Sequence, residues 1–434
     1  MKILLVYPKF RKYLETNPRI LEAIGEPLYA GYKTTPSLGI PILTALTPDE
    51  HDLHFADGNL DEIPYDEHFD LVAITSFTPQ ANYAYEIGDK FRARGVLTVM
   101  GGIHPSNYPE DAEKHVDAVV VGEVETIWGK ILEDAKKGKL QKRYSPDGCF
   151  DLNNYVIPDR RLYENKKGYD WHPLLIQTFR GCDFRCAYCA IPGVANQLRM
   201  RPIDNVMQEI DSGRHLDGLF IADDQLLLPD PKIEAYSKDF FRELKGLDYK
   251  KDIFLNASAL LNRDDELLKL VRDAGVNTIY LVMGFDPISV NAVSFNKPKE
   301  AEYNIKMLKD HGFGIFASVG VGLDVDTPDV FERHINFLDN NDITHVEFWV
   351  LTPFPGSPSW KRYKKQGRII TEEFQYYNGS HAVFEPKKMT AKQLDDGFIY
   401  LWKEFFTRNP LDPKDAAKFY NMTDEYKIKH GLKL

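Results

Sequence analysis

Between residues 173 and 352 the chain places six apolar runs of five to eight residues: Pro173–Thr178, Gly218–Ala222, Ile253–Ala257, Thr278–Met283, Gly314–Val321 and His345–Thr352, with helical segments between them. Short runs that are apolar throughout read as strands buried on both faces, the pattern of a parallel sheet covered by helices. Six repeated strand–helix units predict a β/α barrel, partial because eight units close the ring. The chemistry of such barrels sits at the carboxyl ends of the strands. Just beyond the first run stands Arg180-Gly-Cys-Asp-Phe-Arg-Cys-Ala-Tyr-Cys-Ala-Ile-Pro-Gly193, which sets Cys182, Cys186 and Cys189 in the spacing CxxxCxxC.

Steps of four and three residues let one loop turn its thiolates toward a common centre, which is how zinc and iron–sulfur clusters are gripped. A closed zinc site needs a fourth ligand, and the nearest histidine, His172, precedes the first barrel strand instead of joining the loop. An iron–sulfur cube tolerates a missing protein ligand, because one iron can be left for a small molecule. A structural zinc or a buried trio of cysteines remains the alternative. The spacing, with Tyr188 before the last cysteine, resembles the signature of radical S-adenosylmethionine (SAM) enzymes. That resemblance implies that Cys182, Cys186 and Cys189 hold a [4Fe-4S] cluster whose open iron binds SAM. Reductive cleavage of SAM would then give a 5′-deoxyadenosyl radical that takes a hydrogen atom from a substrate.

At 434 residues the chain has room for two or three domains. No apolar run reaches membrane-spanning length, and Met1 to Pro8 is too short and too strand-like for a signal peptide, so a cytoplasmic protein is expected. A net charge of −11 argues against a nucleic-acid partner. Four cysteines, three of them in one loop, offer no disulfide framework, and the solitary Cys149 leaves no set for a second cysteine-ligated cluster.

Residues 1–145 read as a Rossmann-like parallel sheet, with strands at Ile3–Val6, Asp52–Ala56, Asp70–Ser76, Val96–Met100 and Asp117–Val121. A helix between the third and fourth strands has Thr78 as its N-cap, Pro79 in its first position and Gly95 as its stop. Small and polar residues gather after the strands: Thr75 and Ser76, then Gly101 and Gly102, then Gly122 and Glu123. Such residues make tight turns or admit a ligand close to the backbone. Thr78-Pro-Gln-Ala81, Gly101-Gly-Ile-His-Pro105 and Val119-Val-Val-Gly-Glu123 resemble the cobalamin-binding domain that precedes the barrel in a large radical SAM subfamily. The resemblance implies cobalamin contacts at Thr75, Ser76, Gly101, Gly102, Gly122 and Glu123. The DxHxxG motif that supplies a cobalt ligand in some cobalamin proteins is absent after the first strand; Asp52-Leu-His54 mimics its start from the second strand and is a decoy.

Residues 146–167 read as a linker, 168–365 as the (β/α)6 barrel and 366–434 as a helical extension. By resemblance, Tyr188 lies against the adenine of SAM, Asp223 and Asp224 take the place that binds the methionine amino group, and Asn256, Ser258 and Asp286 contact ribose and methionine. Ser318 is a further candidate, with nothing to say whether it points inward. Thr352-Pro-Phe-Pro-Gly356 is close to the family's TPYPGT and is read as shaping the barrel rim. Thr390-Ala-Lys-Gln393 forms a capping box opening a helix with an apolar face at Leu394, Phe398, Leu401, Phe405 and Phe406. That face packs on the barrel or helps wall a substrate pocket.

Over nearly the whole chain the resemblance is to cobalamin-type radical SAM enzymes, which include methyltransferases, the oxidative cyclase of magnesium-protoporphyrin monomethyl ester, and bacteriochlorophyll- and hopanoid-modifying enzymes. It implies hydrogen abstraction from an apolar tetrapyrrole-like or isoprenoid-like substrate, followed by methylation or oxidation, with a flavodoxin- or ferredoxin-type electron donor. Cobalamin-independent hydroxylation or rearrangement is the alternative within enzymes, and a non-catalytic cobalamin or redox sensor the alternative outside them. No residue of the sequence identifies itself as the hydrogen or proton donor.

Overall fold

A computed structural model describes residues 1–11, 13–24, 37–163, 166, 174–183, 186–223, 226–258, 261–283, 298–410, 412, 428–429 and 431. Asp224 and Asp286 lie outside the described residues. Six strands form the first sheet: β1 (Lys2–Tyr7), β2 (Asp52–Asp57), β3 (Leu71–Thr75), β4 (Leu97–Gly101), β5 (Ala118–Val120) and β6 (Arg143–Tyr144). All pairs are parallel, in the order β2-β1-β3-β4-β5-β6. Alternate residues of the sheet feed two cores. Ile3, Leu5, Leu71, Ala73 and Val99 pack with Trp128, Ile131 and Leu132 on one face. Leu4, Val6, Val72, Ile74 and Met100 pack with Ala81, Tyr85, Ile87 and Phe91 on the other. Burial on both faces is why β1 and β3 read as unbroken apolar runs.

The helix after β3 departs from its expected start. A 3-10 turn, Thr78–Gln80, precedes the α-helix Ala81–Ala93. Thr78 is not the cap: the backbone N–H of Phe77 donates to Gln80 Oε1, and the Thr78 hydroxyl meets His104 Nδ1 at 3.2 Å.

The next strands are β7 (Leu174–Ile176), β8 (Phe179–Arg180), β9 (Arg199–Met200), β10 (Gly218–Ile221), β11 (Asp252–Ser258), β12 (Val276–Met283), β13 (Gly314–Val321) and β14 (His345–Val350). Six of these form a second parallel sheet, β7-β10-β11-β12-β13-β14, in which every strand pairs with its successor. Outward residues such as Leu219, Leu255, Leu281 and Phe348 meet the helices. On the inward face Phe220, Phe254, Tyr280 and Phe316 form a continuous row across four strands, with ring centroids 5.1, 5.6 and 5.4 Å apart.

The helix Ala391–Arg408 opens on the expected capping box, with Thr390 and Gln393 bonding reciprocally. Its aromatic face packs on the outside of β14, where Phe348 lies 5.5 Å from Trp402 and 5.8 Å from Phe405. The stripe is therefore packing and does not wall the interior. The segment that follows β14 crosses back, since Trp360, Phe374, Tyr377 and Val383 join the core of the first sheet.

Candidate functional site

The carboxyl ends of both sheets open on one cavity of about 980 Å3. Tyr7, Thr75, Gly101 and Gly122 line it from the first sheet; Gln177, Ala222, Val282 and Trp349 line it from the second. Most of the lining is apolar, which suits a large ligand fixed by a few polar groups.

The cysteines sit in an antiparallel hairpin whose stem is β8 and β9, with Phe179 opposite Met200 and Arg180 opposite Arg199. Gly181 turns the chain off the stem at φ +80°, where an added Cβ would lie 2.0 Å from the Gln197 carbonyl. Only glycine fits there. The hairpin is held along its length. At its base the buried Asp223 carboxylate accepts from the Thr178 hydroxyl at 2.7 Å, from the Phe179 N–H at 3.2 Å and from the Thr178 N–H. Near its middle Ser359 N–H donates to the Ala187 carbonyl at 2.7 Å. At its far end Asn107 donates to the Ala190 carbonyl at 2.9 Å. Asp223, expected to meet the amino group of SAM, braces the base of the cysteine hairpin through its Oδ2.

All three thiols are half-buried. Burial, then the neighbouring Cys189 and Cys182, push the Cys186 thiol up to about 11. A trio of soft thiol donors on one hairpin fits an iron–sulfur cluster. Cys189 and Tyr188 border the cavity, and the Tyr188 ring lies 6.4 Å from Trp349.

Inside the barrel Ser318 points inward, accepting from Trp349 Nε1 at 3.0 Å, and Tyr280 donates to Glu347 at 2.9 Å. Asn256 is half-buried, and its Oδ1 has no hydrogen-bond partner among the described residues. A buried acceptor of that kind is unfavourable until a ligand donor reaches it. Ser258 ends β11 and is half-buried.

In the first sheet the strand order reverses direction at β1 and β3, which places a ligand crevice beyond the carboxyl ends of those strands. The loops there are knitted together. Ser76 N–H donates to Gly101 O and His104 N–H to Ser76 O, both at 3.0 Å, while Ser106 Oγ donates to Gly102 O at 2.7 Å and accepts from Gly122 N–H at 3.0 Å. Gly102 stands at φ +105°, and a Cβ there would lie 2.9 Å from both the N and O of Ser76. Phe77, 42% exposed, projects at the edge of this crevice. His104 offers nothing to a metal. Its Nε2 meets the Tyr85 hydroxyl at 2.8 Å, its Nδ1 meets Thr78, and burial pulls its pKa down to about 4. His54 lies in β2 beside Asp52 at 3.0 Å.

Glu123 borders the cavity with its carboxylate already occupied. Arg180 and Arg199 each reach it at 2.9 Å, and the Phe150 N–H donates to it at 2.9 Å. Burial raises its pKa, but Arg199, the Phe150 N–H and Arg180 pull harder, and the net shift is downward. Sequence reasoning passed over Arg180, Arg199, Asn107, Tyr280, Glu347 and Trp349. Only Arg180, directly before Gly-Cys, carried a signal.

Residues 32–131 match the B12 binding domain and residues 176–338 the radical SAM superfamily. The chain is 29% identical over 422 residues to a bacteriochlorophyllide d C-8(2)-methyltransferase of Chlorobaculum tepidum, covering 91% of each chain. It is 29% identical over 396 residues to a bacteriochlorophyllide d C-12(1)-methyltransferase of the same organism, covering 88% of this chain and 85% of that one. The fold is similar to the solved structure of the radical SAM methyltransferase TsrM from Kitasatospora setae with cobalamin and a [4Fe-4S] cluster bound, at TM-score 0.68 and 15% identity over 98% of this chain and 92% of that one.

Proposed function

The chain is a radical SAM enzyme with a B12-binding domain, and from that premise we propose that it methylates an unactivated carbon of a large apolar substrate of the tetrapyrrole class. One observation carries the reading: Cys189 of the cysteine hairpin and Gly101, Gly102 and Gly122 of the crevice border the same cavity of about 980 Å3. Chemistry begun at the hairpin and a group held in the crevice can then meet at a substrate between them. The bacteriochlorophyllide relatives and the mainly apolar lining support a macrocycle over a sugar or peptide.

Cys182, Cys186 and Cys189 would hold the [4Fe-4S] cluster. Tyr188 would lie along the adenine of SAM, and Asn256, Ser258 and Ser318 would face its polar groups, with the unpartnered Asn256 Oδ1 ready to accept from a hydroxyl or ammonium. Thr75, Ser76 and the bare backbone of Gly101, Gly102 and Gly122 would admit cobalamin. When bound, these groups supply the electron that cleaves SAM, the radical that removes hydrogen, and the methyl that replaces it. The protein's own part is to keep the hairpin and crevice in register.

A small flavodoxin- or ferredoxin-type protein would deliver the electron in the cytoplasm. No helix among the described residues is long and apolar enough to cross a membrane. The test is anaerobic purification with cobalamin supplied, followed by the visible spectrum. Retained corrin supports methyl transfer. Its loss, with deoxyadenosine still formed, moves the reading to cobalamin-independent hydroxylation or rearrangement.

A further inference from the structure

The stem of the cysteine hairpin sets two arginines directly opposite each other, Arg180 on β8 and Arg199 on β9. Like charges facing across a strand pair repel, and these are largely buried, with 11% and 16% of their side chains exposed. The acid of the hairpin itself, Asp183, accepts from the Leu198 N–H at 3.0 Å. Both arginines are satisfied by the loop that follows β5 in the other sheet: Glu123 takes Arg180 at 2.9 Å and Arg199 at 2.9 and 3.1 Å, and Glu125 takes Arg180. Glu123 and Glu125 are themselves 4% and 6% exposed. Each half is thus a buried excess of one sign, and only their contact is neutral.

We propose that Glu123, Glu125, Arg180 and Arg199 form a positioning clamp, in which the B12-binding domain completes the cysteine hairpin and fixes its distance from the crevice. Gly122, Glu123 and Glu125 on one side and Arg180 and Gly181 on the other all border the cavity. The clamp therefore spans the gap across which the two ends of the site must act. Removing one acid leaves a buried guanidinium without its partner, which weakens the hairpin far more than removing a matched pair. This inference rests on the cluster assigned to Cys182, Cys186 and Cys189.

The test uses the full-length chain, reconstituted anaerobically as wild type, Glu123→Gln and the double variant Glu123→Gln/Arg199→Gln, which retains the Arg180–Glu125 pair. Iron content and the electron paramagnetic resonance spectrum of the reduced cluster, with and without SAM, are the readouts. Glu123→Gln is expected to lose at least about threefold in cluster occupancy or in the spectral change caused by SAM, and the double variant to recover most of it. Wild-type iron and an unaltered SAM response in Glu123→Gln would overturn the clamp. So would a double variant as impaired as the single one, because charge balance would then not be the cause. If the wild type takes up no cluster at all, the proposed function fails instead.

Discussion

Asn107, the last residue of the short helix Ile103–Asn107 after β4, donates its side-chain amide to the Ala190 carbonyl one residue beyond Cys189, at 2.9 Å. The same amide donates to Ile103 O at 2.8 Å, so one side chain pins the far end of the cysteine hairpin to the first sheet. The contact is tight. A Cβ at Gly193 would lie 2.1 Å from Asn107 Oδ1.

Gly193→Ala should therefore destabilise the protein by about 1–3 kcal/mol through overpacking. Adding Asn107→Ala should return part of that loss, since the obstacle is removed. Urea unfolding of the singles and the double measures the coupling directly, and additive effects would show that the two residues do not meet.

Asp223 acts at the opposite end of the hairpin. Asp223→Asn removes a charged acceptor of three hydrogen bonds and should cost about 1.5–3 kcal/mol. Iron uptake should fall with it, because Thr178 and Phe179 lead straight into Gly181-Cys182. A stable variant with full iron content would place the role of Asp223 elsewhere.

Burial lowers the His104 pKa to about 4, below the roughly 6.5 of an unfolded histidine. As pH falls the unfolded chain binds this proton first. The stabilising contribution is thus complete above about pH 6.5 and declines on the way to about pH 4, by on the order of 3 kcal/mol. Thermal unfolding across that range should show the slope, and His104→Gln should flatten it.

Gly102→Val joins a strained φ of +105° to a clash with the Ser76 backbone at 2.9 Å. The crevice should distort and corrin affinity fall about tenfold or more. Iron content of the cysteine hairpin should stay at the wild-type level. A parallel loss of iron would mean that the damage is not confined to the crevice.

Much of this organisation was legible in the residues, and the illegible parts have physical reasons. Apolar runs mark the six barrel strands and β1, β3, β4 and β5 of the other sheet because burial demands them, whereas β2, Asp52–Asp57, is an edge strand and largely half-exposed. Arg143–Tyr144 and the two-residue stem strands Phe179–Arg180 and Arg199–Met200 carry no such run, and their partners alone make them strands. Thr78-Pro79 looks like a helix cap, yet His104, distant in sequence, claims the hydroxyl. Asp223 and Glu123 have the composition of ligand-binding acids, and what the sequence hides is that Thr178 on one side and two arginines on the other reach them first. Ser318 was recognisable as a candidate, but its direction depends on strand register, which places it beside Glu347 and under Trp349. Asn107 carried no local signal, because its role exists only where two domains touch.

The most direct test is the yield of 5′-deoxyadenosine when anaerobically reconstituted protein is mixed with SAM and a strong reductant, alongside Cys186→Ala. The account predicts abundant deoxyadenosine from protein carrying about four irons per chain, and none from the variant. Zinc in place of iron, or undiminished cleavage by Cys186→Ala, would contradict it.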